Sequence, residues 1–200
     1  MTIKEFLLIS STTFIFYVSL WSIWAFFALS IDLPYLSLPT WSGSLIYLPH
    51  AARVLCVVYF GYKCVPALYL AEISGPQFLF PETYNVDVFL PALGAALSVP
   101  LAISLLSLVG LNLGISRSSP LYKGSYKHIG LIVILSAAIN AMLVNAALSF
   151  QAGNFFAATQ ANPMQVCRFF IGDILGAATV ITILATMLLP ILRQTKEPLR

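Results

Sequence analysis

The amino-acid sequence predicts an all-α, polytopic integral membrane protein, a bundle of about six transmembrane helices with both termini in the cytoplasm. Two features of composition support this fold class: 60% of the 200 residues are apolar, and only 8% are charged. Soluble domains contain about 25% charged residues, so this chain cannot cover a water-exposed surface with polar side chains. A third observation, the distribution of basic residues between the loops, gives the orientation.

About 20 apolar residues are needed to cross the hydrocarbon core, and the chain contains six stretches of roughly that length within a single membrane domain, 1–200. The first is too long for a signal peptide, whose apolar core has about 7 to 15 residues. The second and third are separated by Gly61-Tyr62-Lys63, a glycine turn with a basic residue that predicts a tight hairpin at the membrane surface. The predicted spans are 6–29, 45–62, 64–80, 88–114, 128–150 and 164–192.

The loops between these spans alternate sharply in charge. One side carries only the acidic residues Asp32, Glu82 and Asp87. Because basic loops stay in the cytoplasm, we expect both termini inside and a multi-pass protein of a bacterial inner membrane. The basic residues are spread along one side of the membrane instead of being clustered on one soluble face, which argues against a nucleic-acid partner. The basic side carries Lys4, Lys63, Arg117, Lys123, Lys127, Arg193, Lys196 and Arg200.

Four ionisable side chains remain inside the spans, Arg53, Glu72, Arg168 and Asp173, and His50 lies one turn before Arg53. Charges in hydrocarbon are costly, so they are expected to face the protein interior and to pair. Counting from the external ends places them at depths of roughly 6 to 14 Å, so all four could meet in the external half of the bilayer. Two interpretations remain open: structural pairs, Arg53 with Glu72 and Arg168 with Asp173, or a site for a ligand or a proton.

Other polar and small residues in the spans are typical of helix packing. Two small-xxx-small pairs, Gly110 with Gly114 and Gly172 with Gly176, would allow backbones to approach closely. The side chains of Asn140 and Asn145 could form hydrogen bonds between helices.

The sequence lacks the motifs that carry catalysis. It contains no HExxH, P-loop or GxSxG motif and no His/Cys cluster with metal-ligand spacing. We therefore expect no enzymatic activity, no catalytic residue, no cofactor and no metal site.

Two stretches resemble the first of the membrane-associated sensor (MASE-type) families. One runs from Leu48-Pro49-His50-Ala51-Ala52-Arg53 through Gly61-Tyr62-Lys63 to residues 66–71, and the other is residues 168–176, Arg-Phe-Phe-Ile-Gly-Asp-Ile-Leu-Gly. Members of that family usually precede histidine-kinase or cyclic-dinucleotide-synthesising modules and are thought to sense ligands. This chain is shorter than the usual eight-span domain, and we expect that no output module follows it.

The resemblance therefore implies a stand-alone, sensor-like membrane protein that signals through, or regulates, a separate membrane or cytoplasmic partner. The partner would be contacted at the cytoplasmic loop 115–127 or within the membrane. A small-molecule ligand would reach the charged residues from the external side.

Two other functions fit the same pattern of spans. One is a small-molecule transporter or its membrane-embedded substrate-binding subunit, although the sequence shows no inverted repeat. The other is a structural or assembly subunit of a larger membrane complex, in which the small-residue faces would be docking surfaces.

Overall fold

A computed structural model of the chain describes residues 2–28, 44–79, 88–111, 125–151 and 163–194, and within these ranges the regular structure is helical throughout. Helix α1 begins where Thr2 caps the backbone N–H of Glu5, with Glu5 bonding back to Thr2. Such a capping box satisfies two of the free N–H groups of the first turn. The elements are α1 (Ile3–Ile23, continued by a π-helical turn Trp24–Ala28), α2 (Pro49–Phe60), a 3-10 turn (Gly61–Cys64), α3 (Val65–Leu79), α4 (Phe89–Leu108), α5 (Ser125–Gln151) and α6 (Pro163–Gln194).

Five helical stretches in the described ranges are long and apolar enough to cross a membrane: Ile3–Phe27, Pro49–Gly75, Phe89–Leu108, Tyr126–Phe150 and Pro163–Met187. The predicted fold class, a multi-pass membrane bundle of helices, is confirmed, and the predicted number of about six spans is close.

The stretch Pro49–Gly75 consists of two antiparallel arms, α2 and α3. In a straight helix Arg53 and Glu72 would lie about 28 Å apart, yet their side chains form a buried ion pair. The chain therefore reverses at Gly61, whose φ of 67° is readily adopted only by glycine. This is the predicted hairpin, and it brings the number of helical arms in the described ranges to six.

The helices run alternately up and down. Phe6 and Pro66 line one groove, whereas Trp21 lies against Gly75. The start of α1 therefore packs against the start of α3, and the end of α1 against the end of α3. The start of α1, the 61–64 turn, the end of α4, the start of α5 and the end of α6 form what we call the basic end, because Lys4, Lys63 and Lys127 lie there. We call the other end the cavity end.

Helix α2 lies at the centre of the bundle. All residues from Pro49 to Val58 are buried, and a helix that is buried on every side must be surrounded by other elements. The outer helices, in contrast, expose large apolar side chains, which suits contact with lipid. Leu7, Leu8, Leu101, Leu105, Met142 and Ile183 are examples.

Gly110, one member of the predicted packing pair Gly110–Gly114, lies just outside helix α4. Helix α4 ends at Leu108, six residues earlier than predicted, and Gly110 adopts a φ of 80° just beyond it. A Cβ atom at Gly110 would meet none of the described atoms within 4 Å, and the positive φ shows that this glycine terminates the helix. Gly114 lies outside the described residues.

Candidate ligand site

The hairpin brings two of the predicted intramembrane charges into direct contact. Pro49 occupies the first turn of α2, where its missing N–H costs nothing, and places His50 and Arg53 three residues apart on one helix face. Nε of Arg53 donates to Oε1 of Glu72, and Nη1 of Arg53 lies 3.3 Å from Nδ1 of His50. Arg53 and His50 are at most 2% exposed, and Glu72 is 8% exposed. The predicted pair of Arg53 with Glu72 is observed.

The hydrogen bonds around His50 define its tautomer. Nε2 of His50 lies 3.1 Å from Oγ of Ser136, and that hydroxyl donates its own hydrogen to the carbonyl oxygen of Val133. Ser136 therefore accepts a hydrogen bond from Nε2–H, which leaves Nδ1 as the acceptor for Arg53. His50 is consequently a neutral side chain that links α2 to α5.

Asp173 of α6 joins this cluster from the opposite side. Nδ2 of Asn140 donates a 2.6 Å hydrogen bond to Oδ2 of Asp173, and Nδ1 of His50 lies 3.5 Å from the same oxygen. Asp173 is 1% exposed and interacts electrostatically with Arg53 and Glu72. We call His50, Arg53, Glu72, Asn140 and Asp173 the charge cluster.

Two tyrosines cover the Arg53–Glu72 pair. The hydroxyls of Tyr17 and Tyr47 lie 3.1 Å apart, and the guanidinium carbon of Arg53 lies 5.2 Å from the centroid of the Tyr47 ring, a cation–π contact. The Tyr47 hydroxyl adjoins this ion pair and can act as a neutral hydrogen-bond donor.

Residues 44–48 form a short, bent, non-helical stretch, which we call the inserted segment, that lies directly on α6. The N–H of Tyr47 donates a 2.9 Å hydrogen bond to the carbonyl oxygen of Gly172. A Cβ atom at Gly172 would lie 2.0 Å from the carbonyl oxygen of Ser44, and one at Gly176 would lie 2.1 Å from that of Tyr47. The glycine pair predicted for helix packing therefore accommodates the backbone of this segment.

The inserted segment is also fixed from α1. Nε1 of Trp24 donates a 2.9 Å hydrogen bond to Oγ of Ser44, and the rings of Trp24 and Tyr47 meet edge to face with centroids 5.1 Å apart. The π-helical turn at the end of α1 carries Trp24. Local distortions of this kind recur at functional sites, and here the distorted turn supplies the indole that holds the segment.

A cavity of about 160 Å³ adjoins the charge cluster. Its apolar wall comes from the cavity-end portions of α4, α5 and α6, and its polar wall from the charge cluster and the inserted segment. The cavity thus extends from the charge cluster toward the cavity end. The lining residues are Ser44, Tyr47, Arg53, Glu72, Val88, Pro91, Ala92, Ala95, Asn140, Val144, Leu148, Phe169 and Asp173.

The remaining predicted site residues have different positions. Arg168 is half-buried, does not line the cavity, and lies five residues before Asp173, about 140° around the helix. Among the described residues, Asp173 accepts a hydrogen bond from Asn140 and interacts electrostatically with Arg53 and Glu72, so the predicted meeting of all four charges holds for three. Asn145 donates to the carbonyl oxygen of Ala141 in its own helix rather than across helices, whereas Asn140 makes the predicted interhelical bond.

Sequence reasoning missed Tyr17, Tyr47 and Ser136 as members of the site. The position of Tyr17 was a usable signal, because a tyrosine hydroxyl at mid-span needs a hydrogen-bond partner inside the bundle. Tyr47 and Ser136 gave no comparable signal, since tyrosines near span ends anchor at the interface and serines are common in membrane helices.

Comparison of the chain with protein-family models, curated proteins and solved structures finds no match. The resemblance to membrane-associated sensors therefore rests on the two sequence stretches alone. Within the described ranges, no three His, Cys, Asp or Glu side chains are grouped so that they could hold a metal ion.

Proposed function

We propose that this protein is a sensor-like receptor of a bacterial inner membrane, which binds a small molecule in the cavity beside the charge cluster and regulates a separate partner protein. The observation that carries the proposal is the cavity itself: about 160 Å³ of space lies directly against the buried Arg53, Glu72, Asn140 and Asp173. Ionisable residues at membrane depth mark ligand or ion sites by default.

The hydrogen bonding of the charge cluster also favours a ligand site over a purely structural ion pair. A buried polar network that serves stability alone needs every member satisfied, because each unpaired polar atom carries a desolvation cost. Asn140 is 2% exposed, and its Oδ1 has no hydrogen-bond partner among the described residues. A buried acceptor without a partner beside a cavity is the arrangement expected of a binding site whose ligand supplies the missing hydrogen bond.

The packing beyond the charge cluster supports a receptor over a transporter. Toward the basic end the core is filled by apolar side chains that are wholly buried, among them Val54, Leu68, Val99 and Ile132. A transporter would have to open a path through this layer, whereas a receptor needs access from one side only. The positive-inside rule assigns the cavity end to the exterior.

Signalling would use the hairpin as its moving part. The charge cluster joins α2, α3, α5 and α6 through a few side chains, and the 61–64 turn between α2 and α3 lies at the basic end, on the predicted cytoplasmic side. A ligand that interacts differently with two arrangements of these charges shifts the balance between them. A partner protein would then recognise the changed position of the turn.

The test is a thermal-unfolding screen of the purified protein against a panel of metabolites. A ligand at about a hundredfold its dissociation constant is expected to raise the melting temperature by roughly 5 to 10 °C. Asp173→Asn should lose the response, and Arg168→Gln, at a residue that does not line the cavity, should keep it.

Two results would contradict the proposal: no metabolite that stabilises the wild-type protein, or uptake of a stabilising ligand into sealed vesicles that contain the protein. The second result would identify a transporter.

A further inference from the structure

The structure also indicates what kind of molecule the cavity would take. We propose that the ligand is a small organic cation, a primary ammonium group on a short apolar chain, with the ammonium held between Asp173 and Asn140. This inference rests on the proposed function, because it names the ligand of that same cavity.

The charges that line the cavity give the first argument. Among the residues that the structure describes, they are one cation, Arg53, and two carboxylates, Glu72 and Asp173. Arg53 is engaged by Glu72 and His50, and its guanidinium lies over the Tyr47 ring. With both carboxylates ionised, the formal charge of these residues is −1, and a bound ammonium would stabilise Asp173 in that form. A bound cation restores neutrality, whereas a bound anion would add a second uncompensated charge in a low-dielectric interior, where that cost is high.

The free hydrogen-bonding capacity of Asn140 gives the second argument. Nδ2 of Asn140 is used by Asp173, and its Oδ1 is a buried acceptor without a partner among the described residues. The carboxylate of Asp173 is itself an acceptor. An ammonium group has three N–H donors and no acceptor, so it complements an amide oxygen and a carboxylate placed side by side.

The apolar wall gives the third argument. Opposite the polar groups, the cavity is lined by Val88, Pro91, Ala92, Val144 and Leu148. Hydrated inorganic cations such as Mg²⁺ and Ca²⁺ prefer about six or more oxygen ligands, which this wall does not offer. A hydrocarbon chain fits this apolar wall. The cavity volume is that of roughly five water molecules, so the ligand would have only a few non-hydrogen atoms.

The experiment compares four probes on the purified full chain by thermal unfolding, with binding confirmed by isothermal titration calorimetry. The probes are propylammonium chloride, sodium propionate, sodium chloride and potassium chloride at one concentration. Propylammonium should raise the melting temperature, while propionate and the two inorganic salts should not. Asp173→Asn should weaken propylammonium binding by roughly 10- to 100-fold, because it removes a charged acceptor.

A second variant keeps the test decisive if Asp173→Asn does not fold. Asn140→Ala removes the neutral acceptor and should weaken binding by roughly 2- to 10-fold, while Asn145→Ala, at a buried asparagine that does not line the cavity, should leave binding unchanged. Equal binding by wild type and Asn140→Ala would overturn the assignment.

The remaining outcomes separate this inference from the proposed function. Stabilisation by propionate instead of propylammonium, or equal stabilisation by sodium chloride, would overturn the inference that the ligand is an organic cation. Neither result would contradict the proposed receptor function. A panel metabolite without an amino group that binds the cavity would do the same. If neither the probes nor the panel stabilise the protein, the proposed function fails as well.

Discussion

The N–H of Tyr47 donates a 2.9 Å hydrogen bond to the carbonyl oxygen of Gly172, which places the inserted segment directly on the helix that carries Asp173. The bond is made where α6 has no side chain, since the backbone of residues 44–47 occupies the space of a Cβ at Gly172 and Gly176. The glycine pair thus positions Tyr47 above Arg53, and Asp173, the residue after Gly172, contacts Asn140 within the charge cluster.

Gly172→Ala and Gly176→Ala should each lower the free energy of unfolding by at least about 1 to 3 kcal/mol, the usual cost of overpacking. The added methyl group would collide with the backbone of the inserted segment, which cannot rotate away as a side chain could. Unfolding by denaturing detergent would measure the loss. Gly130→Ala is the matched control, because a Cβ there meets none of the described atoms within 4 Å. A loss as large at Gly130 would contradict the account.

The ion pair between Arg53 and Glu72 should behave as a coupled unit. Glu72→Gln alone should destabilise the protein by about 3 to 5 kcal/mol, because it leaves a buried guanidinium without its counter-charge. Arg53→Met alone should have a similar cost, and the double variant should be less destabilised than the sum of the two. A double-mutant cycle of unfolding free energies checks this, and strict additivity would show that the two side chains do not interact.

The two buried asparagines of α5 should differ in their effect on stability. Asn140→Leu removes the hydrogen bond to Asp173 in another helix and should cost about 1 to 3 kcal/mol, since a buried carboxylate loses a donor. Asn145→Leu removes only a hydrogen bond to the carbonyl oxygen of Ala141 in the same helix, and that carbonyl still belongs to the helical backbone. Unfolding midpoints should therefore fall clearly for Asn140→Leu and little for Asn145→Leu; the reverse order would be inconsistent with the described site.

The orientation of the bundle can be tested by cysteine labelling. In a Cys167→Ser background, the remaining native cysteines Cys56 and Cys64 are buried. Lys63→Cys at the basic end should react with a membrane-impermeant maleimide only in inside-out vesicles, and Met164→Cys, at an exposed position of the cavity end, should react in intact cells. Labelling of both cysteines from the same side would contradict the up-and-down arrangement. Labelling of each cysteine from the side opposite to the one expected would show that the bundle has the reverse orientation.

Much of the fold follows from the sequence because lipid imposes simple rules. Span length and hydropathy located the six helical arms, and Gly61 with Lys63 located the hairpin, since only a reversed chain with a surface-facing lysine suits that pattern. The site could be predicted in part, because buried charges must pair and Arg53 and Glu72 lie symmetrically about the turn. Depth counting could not reveal the angular position of Arg168, which depends on the rotation of α6.

The contact between the inserted segment and α6 could not be read from the sequence. A small-xxx-small pair predicts that some backbone approaches closely, but it does not distinguish a neighbouring helix from a short non-helical segment. The same ambiguity hid the role of Asn140, which looked like one of two equivalent packing residues. Its partner became evident only when α5 and α6 were placed side by side.

The central claim is that the cavity, and not the ion pairs alone, is functional, and the most direct test fills the cavity without touching a charge. Ala92→Leu, or Val144→Phe as an independent variant, adds bulk at a lining residue. Measured by thermal unfolding with and without a stabilising ligand, both variants are predicted to keep a cooperative transition and to lose the ligand-induced shift. A shift as large as that of the wild-type protein in both filled variants would show that the ligand binds elsewhere and that the charge cluster serves only to hold the helices together.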